Sequence, residues 1–110
     1  MKTAFLTCIL FFTSFNGRTQ TSTATVMGKI KDQTTGELLP FVRITLIQHD
    51  TIKYVGETDF DGQYKIKEVK PGIYNVKTTV IGYYSKEING FLAKGSMINF
   101  LNIELNPEPS

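Results

Sequence analysis

Most of this chain is predicted to fold as an all-β, antiparallel sandwich of about seven strands, within a range of six to eight. Three observations predict it. Apolar and polar residues alternate in short runs, turn-forming clusters recur every 8 to 12 residues or so, and no window sustains a 3.6-residue apolar period over ten residues. Alternation also implies sheets with one face buried and one face in water, as antiparallel pairing allows.

The first residues read differently. The chain has 110 residues, 12 Lys plus Arg against 10 Asp plus Glu, a formal charge of +2, one cysteine and no tryptophan. Lys2 and Arg18 account for the whole surplus, because the remaining basic and acidic side chains cancel. Lys2 precedes AFLTCILFFTSF at 4–15, an apolar run without charge, and the polar stretch NGRTQTSTAT follows. A positive start, an apolar core and small polar residues form the pattern of a secretory signal peptide. The apolar run is too short for a membrane-spanning helix, which needs about 20 residues. Cleavage is expected at about 19–24: Gly17 and Thr19 would place the cut before Gln20, whereas Ser22 and Ala24 fit the small-x-small rule from farther away. A lipid anchor on Cys8 competes with this reading. It is opposed by the position of Cys8 inside the apolar run, because lipidation there would leave Ile9 to Phe15 on the exported protein. The organisation expected is therefore a leader over 1–24, a sandwich over 25–106 and a tail over 107–110. Without Cys8 the domain has no disulfide and depends on its hydrophobic core.

The strands follow in order. Residues 26–32 alternate, with Val26, Gly28 and Ile30 on one face and Met27, Lys29 and Lys31 on the other; the turn DQTTGE follows, with Gly36 near its end. Residues 41–48 put Val42, Ile44 and Leu46 inward against Arg43 and Thr45. A polar loop over 48–53 leads to a short strand over 54–58. The next turn is Thr58-Asp59-Phe60-Asp61-Gly62, where the Asp side chains can bond nearby amides. Residues 63–69 place Tyr64 and Ile66 inward, with Lys65 and Lys67 outward. Pro71-Gly72 suggests a type II turn. Residues 73–80 then bury Tyr74, Val76, Thr78 and Val80. Gly82 breaks that strand, 84–88 is short, and Asn89-Gly90 and Lys94-Gly95-Ser96 read as turns. Residues 98–105 close the domain, with Ile98, Phe100 or Leu101, Ile103 and Leu105 as candidate inward residues. The prolines of the tail lack amide donors and do not continue a strand easily.

Six segments, in order and spacing, then resemble a known family. They are Gly28-Lys29-Ile30-Lys31-Asp32, Thr35-Gly36-Glu37, Leu39-Pro40-Phe41-Val42, Thr58-Asp59-Phe60-Asp61-Gly62-Gln63-Tyr64, Pro71-Gly72-Ile73-Tyr74 and Ile81-Gly82-Tyr83. Together they resemble the carboxypeptidase-regulatory-like domain, which implies an Ig-like, transthyretin-like (prealbumin-like) sandwich. The family is similar to the accessory domain that follows metallocarboxypeptidase catalytic domains. It is also similar to the N-terminal extension of TonB-dependent outer-membrane receptors of Bacteroidetes-type bacteria. The sequence carries no plug or barrel after the domain, so receptor transport is not assigned to it; a free-standing module and a truncated receptor frame are both expected readings.

Candidate chemistry is sparse. Zinc catalysis would need several His or equivalent ligands, and His49, beside Asp50, is the only histidine. No catalytic serine motif accompanies it, so no catalytic residue and no cofactor are assigned. The spacing Glu57-x-Asp59-x-Asp61-Gly62, with Glu68 completing it, matches a calcium loop of the EF-hand type. Strand-like flanks and a Glu at the first position argue against it, and Asp59 and Asp61 are equally well explained as turn formers. Lys29, Lys31, Lys65, Lys67 and Lys70 are dispersed along the chain and balanced by acids, so neither nucleic acid nor another anionic partner is expected. Tyr83-Tyr84 reads as one inward and one exposed ring, with a sugar-stacking platform as the alternative. The function expected is an exported, non-enzymatic accessory module, periplasmic, outer-membrane-associated or secreted. It would contact an envelope protein through a sheet edge or a loop end. A carbohydrate or small-ligand module is the alternative, and a regulatory piece of a separately encoded peptidase is the third reading.

Overall fold

The computed structural model describes residues 22–109, and the expectations for the leader over 1–21 lie outside the described residues. Eight strands form two sheets: β1 (Ala24–Asp32), β2 (Arg43–Gln48), β3 (Thr51–Glu57), β4 (Gln63–Val69), β5 (Gly72–Thr79), β6 (Lys86–Ala93), β7 (Ile98–Phe100) and β8 (Ile103–Leu105). One sheet runs β4-β1-β7, with β8 also on β1; the other runs β3-β2-β5-β6. The alternating side chains meet between the sheets. Val26, Ile30, Val42, Ile44, Leu46, Val69, Val76, Ile103 and Leu105 are fully or almost fully buried, with Tyr64, Ile66 and Tyr74 beside them. Fully burying one such aliphatic side chain stabilises by about 1.5–3 kcal/mol. That driving force selects the register, because a one-residue slip would turn the whole set to water.

Several expectations are corrected. The sheets are not wholly antiparallel, since β1 pairs in parallel with β7 and then β8. The closing segment is interrupted, so Ile98 and Phe100 face water while half-buried Leu101 packs against the core. The interruption has a local cause. Leu101 donates its amide to the Met27 carbonyl, but the amide of Lys29 is taken by Asn102 Oδ1 at 2.9 Å instead of a main-chain carbonyl. The Leu101 carbonyl thereby turns over Gly28, where a Cβ would lie 1.9 Å from it, and accepts the Tyr64 hydroxyl at 2.7 Å.

The expected turn at Asn89-Gly90 is instead a bulge inside β6, opposite Asn75, with Gly90 at φ 76°. Gly72 does not take the positive φ of a type II turn, because it already pairs with Ala93 as the first residue of β5. The polar loop over 48–53 is a two-residue hairpin, with His49 at φ 54° and Asp50 at φ 58°. Two successive left-handed residues define the turn whose twist matches paired strands, and Asp and His tolerate it better than most side chains. Val80, expected in the core, lies just past β5 and is half-buried at the core margin. Ala24, at the edge of the expected leader, is the buried first residue of β1. The tail is not free either: Pro107 bridges to Tyr83, and the Glu108 amide donates to the Gly82 carbonyl.

Candidate functional site

Strand direction brings four connections to one end of the sandwich: 33–42, 58–62, 80–85 and 106–109. Two polar centres organise this end. Asp32 closes β1, and its Oδ1 accepts from the amides of Thr34 and Thr35 at 2.6 and 3.0 Å, forming the Asx turn expected of its side chain. Its Oδ2 accepts the Tyr83 hydroxyl. That bond, with the Thr35 amide, holds the Asp32 carboxyl below its ordinary range and pushes the Tyr83 hydroxyl up. The second centre is Thr58, whose buried hydroxyl accepts from the Val42 amide at 2.8 Å and donates to the Leu39 carbonyl at 2.7 Å. The main chain adds Thr58 N to Val42 O and Phe41 N to Thr58 O.

These bonds hold Phe41 in the left-handed region at φ 60°, a conformation that costs a non-glycine residue of order 1–3 kcal/mol. Phe41 is 52% exposed, and its ring meets Phe60 edge-on, with centroids 5.1 Å apart and an interplanar angle of 76°. Phe60 is 82% exposed, and Ile81, Tyr84 and Leu38 are exposed in the loops of the same end. The fold thus holds a pair of aromatic rings in water on a hydrogen-bonded base, one of them in a strained backbone. The sequence reading missed the pair, because Phe41 fits the β2 alternation and Phe60 sits inside a turn signal. Nothing local shows that the rings meet.

The turn residues Gly36, Gly62 and Gly82 do take positive φ. Pro71 leads into β5, and Asp59 accepts through Oδ1 from the amides of Asp61 and Gln63 at 2.9 and 3.0 Å. The calcium spacing is not assembled. Glu57 ends β3, Asp59 and Asp61 lie in the following turn, and Glu68 sits in a bulge near the far end of β4, roughly 20 Å along the strand. Among the described residues no group of three or more His, Cys, Asp or Glu side chains is placed to hold a metal ion. His49 lies in the β2–β3 hairpin, at the opposite end of β2 from the aromatic pair. Tyr83 is half-buried and Tyr84 exposed, matching the expectation of one inward and one outward ring. No helix among the described residues is long and apolar enough to cross a membrane.

The sheet edges are irregular. β3 bulges at Lys53, β4 between Ile66 and Val69, and β6 at Asn89-Gly90, while the β7–β8 edge breaks at Leu101-Asn102. Bulges and lysines on edge strands oppose the addition of a further strand. The loop end therefore suits a contact better than any edge does.

Comparison with known proteins agrees with this architecture. No curated protein matches the sequence. Among solved structures, a candidate carbohydrate-binding protein of Bacteroides uniformis superposes with a TM-score of 0.67 at 24% identity, covering 78% of this chain and 42% of that one. The minor pilin of Streptococcus agalactiae gives 0.62 at 16% identity, over 99% and 51% of the two chains. A type II cohesin–X–dockerin complex of Acetivibrio cellulolyticus gives 0.58 at 23% identity, over 73% and 52%. The chain spans about half, or less, of each of these proteins, and at such identities the likeness shows the β-sandwich fold alone. The family model for the carboxypeptidase regulatory-like domain matches residues 25–106, from the second residue of β1 to just past β8, and the chain belongs to that family.

Proposed function

We propose that the chain is an exported, non-enzymatic interaction module of the bacterial cell envelope that docks a protein partner through its aromatic loop end. The observation that carries this reading is the Phe41–Phe60 pair. A strained, exposed aromatic held by buried hydrogen bonds is costly to maintain for stability alone, and exposed aromatic anchors on a rigid base are what protein contacts use. Export is supported by the basic start and apolar run over 2–15, and the resemblance to receptor extensions supports a periplasmic or outer-membrane-associated place. No catalytic constellation or cofactor is assigned, and the family resemblance to an accessory domain supports a binding role.

The test is cross-linking and capture from envelope fractions with the native chain and with Phe60→Ser, which removes an 82% exposed ring and leaves the core untouched. A partner held by the native chain and lost with Phe60→Ser supports the proposal. Equal capture by both chains refutes docking through this end, and recovery of the native chain only in the cytosol refutes export.

A further inference from the structure

The wet face of the β4-β1-β7/β8 sheet is a second surface, which meets the loop end at Leu38 but does not include the Phe41–Phe60 pair. Register places Met27 opposite Lys65 and Lys29 opposite Gln63 on one side, and Lys31 opposite Glu104 on the other. Paired residues share a face, and so do residues two apart on a strand. Lys29, Lys31, Lys65 and Lys67 therefore all project from this one face, although they come from two strands far apart in sequence. Lys86 reaches it from β6, its Nζ donating to the Glu104 carbonyl at 3.2 Å. Among the strand positions on this face the one carboxylate is Glu104, whose Oε2 lies 3.6 Å from Lys31 Nζ in a half-exposed pair. Glu68 sits in the neighbouring β4 bulge. A sequence that is balanced in charge beyond the leader is thus locally basic here.

The same face is concave. A cleft of about 690 Å³ is lined by Lys29, Lys31, Lys86, Asn102, Glu104 and Leu38, among others. Its volume is in the range of small-ligand sites, about 300–1,000 Å³, but its lining is charged where most such sites are apolar. Lys65 and Lys67 continue the positive track beyond the cleft along β4.

We infer that this face binds an acidic polysaccharide, a hydrated chain carrying repeated carboxylates, with the cleft holding one acidic sugar and the β4 lysines meeting its neighbours. Charge complementarity selects an anion, and the form of the charges selects this class. The basic groups are all lysines, point charges suited to dispersed carboxylates on a hydrated chain. The one arginine among the described residues, Arg43, belongs to the other sheet, so the face has no guanidinium fork for phosphate or base edges. Phe100 is the one aromatic ring projecting from it, opposite Met27 and away from the cleft, so there is no stacking track for single-stranded nucleic acid. An acidic peptide added as a further strand would meet adjoining edges that are bulged or broken.

The test uses the full chain with polygalacturonate, its fully methyl-esterified form as the uncharged counterpart, and a DNA duplex, all followed by calorimetry. Polygalacturonate should bind, and its affinity should fall with added salt as the attraction is screened. A Lys29→Gln, Lys31→Gln, Lys65→Gln triple variant should bind about tenfold more weakly or worse at an unchanged melting temperature. A Lys53→Gln, Lys77→Gln pair on the other sheet should bind as the native chain does. Phe60→Ser should also leave polygalacturonate binding intact, which separates this site from the loop end. Equal binding of the esterified polymer, equal loss in the two lysine variants, tighter binding of DNA, or no binding at low salt would each overturn the inference.

Discussion

The Tyr83 hydroxyl donates to Asp32 Oδ2 at 2.7 Å, joining residues 51 apart in sequence and tying the β5–β6 connection to the end of β1. This bond is the first cause of the lowered Asp32 pKa. A carboxyl depressed in the folded state stabilises it above the unfolded value, near 3.8, and that stabilisation is lost as pH falls through the lower folded value. Tyr83→Phe should therefore unfold at a higher pH than the native chain on the acid side. Asp32→Asn keeps an acceptor for the Thr34 and Thr35 amides but no charge, and should flatten the pH dependence in the same window. Melting temperatures followed by circular dichroism from pH 2 to 6 check both. Superimposable acid profiles for the native and Tyr83→Phe chains would refute the assignment.

Thr58 sits at the base of the aromatic pair, and its buried hydroxyl has two partners. Thr58→Val keeps the shape but strands the Val42 amide and the Leu39 carbonyl, and should cost about 2–4 kcal/mol in urea unfolding. Thr58→Ser retains both bonds and should cost about 1 kcal/mol. If the two variants were equally stable, the hydroxyl would not be holding this end.

A methyl group at Gly28 would lie 1.9 Å from the Leu101 carbonyl. Gly28→Ala must displace that carbonyl from Tyr64 and disturb the β7–β8 edge, an overpacking defect expected to cost about 2–4 kcal/mol. Gly90→Ala meets nothing within 4 Å and suffers only its positive φ, for a cost of about 1 kcal/mol. The ordering of the two in chemical denaturation is the prediction, and a Gly90→Ala cost at or above that of Gly28→Ala overturns it.

The fold was legible because its determinants are local. Alternation at Val42, Ile44 and Leu46, or at Tyr64 and Ile66, reports a buried face two residues at a time, and Asp59 and Gly62 announce their turn through side-chain chemistry. The errors fall where a long-range contact overrides a local signal. Asn89-Gly90 reads as a turn, but pairing with β5 absorbs it as a bulge; Gly72 reads as a turn glycine, but Ala93 draws it into a strand. Ile98 is misplaced, and the choice between Phe100 and Leu101 stays open in the sequence, because the break at Leu101 depends on Asn102, Gly28 and Tyr64 together. Neither candidate surface could be read from the chain. The Phe41–Phe60 contact and the four-lysine face are products of topology, and linear spacing gave the lysines the look of two ordinary exposed pairs.

Asp59 spends Oδ1 on two backbone amides, and Glu68 is held away from it along β4. Millimolar calcium should therefore leave the melting temperature unchanged and give no heat on titration. A saturable heat lost in Asp61→Asn would contradict this placement.

Tyr64 carries the alkaline counterpart of the Asp32 effect. Its hydroxyl is desolvated beneath the β7–β8 break, and burial pushes its pKa far above the ordinary 10.0. Burial raises Tyr74 as well, and the bond to Asp32 raises Tyr83. A raised folded value means that the unfolded chain releases protons first, so stability is full below pH 10 and falls as pH rises beyond it. Tyr64→Phe removes the largest of these contributions and should show a shallower decline above pH 10. At neutral pH the same variant strands the Leu101 carbonyl and should be less stable by about 1–2 kcal/mol. The native and variant stability curves should therefore converge as pH rises, measured by urea unfolding at pH 7 to 11. Parallel curves would place the alkaline sensitivity elsewhere and remove Tyr64 as its source.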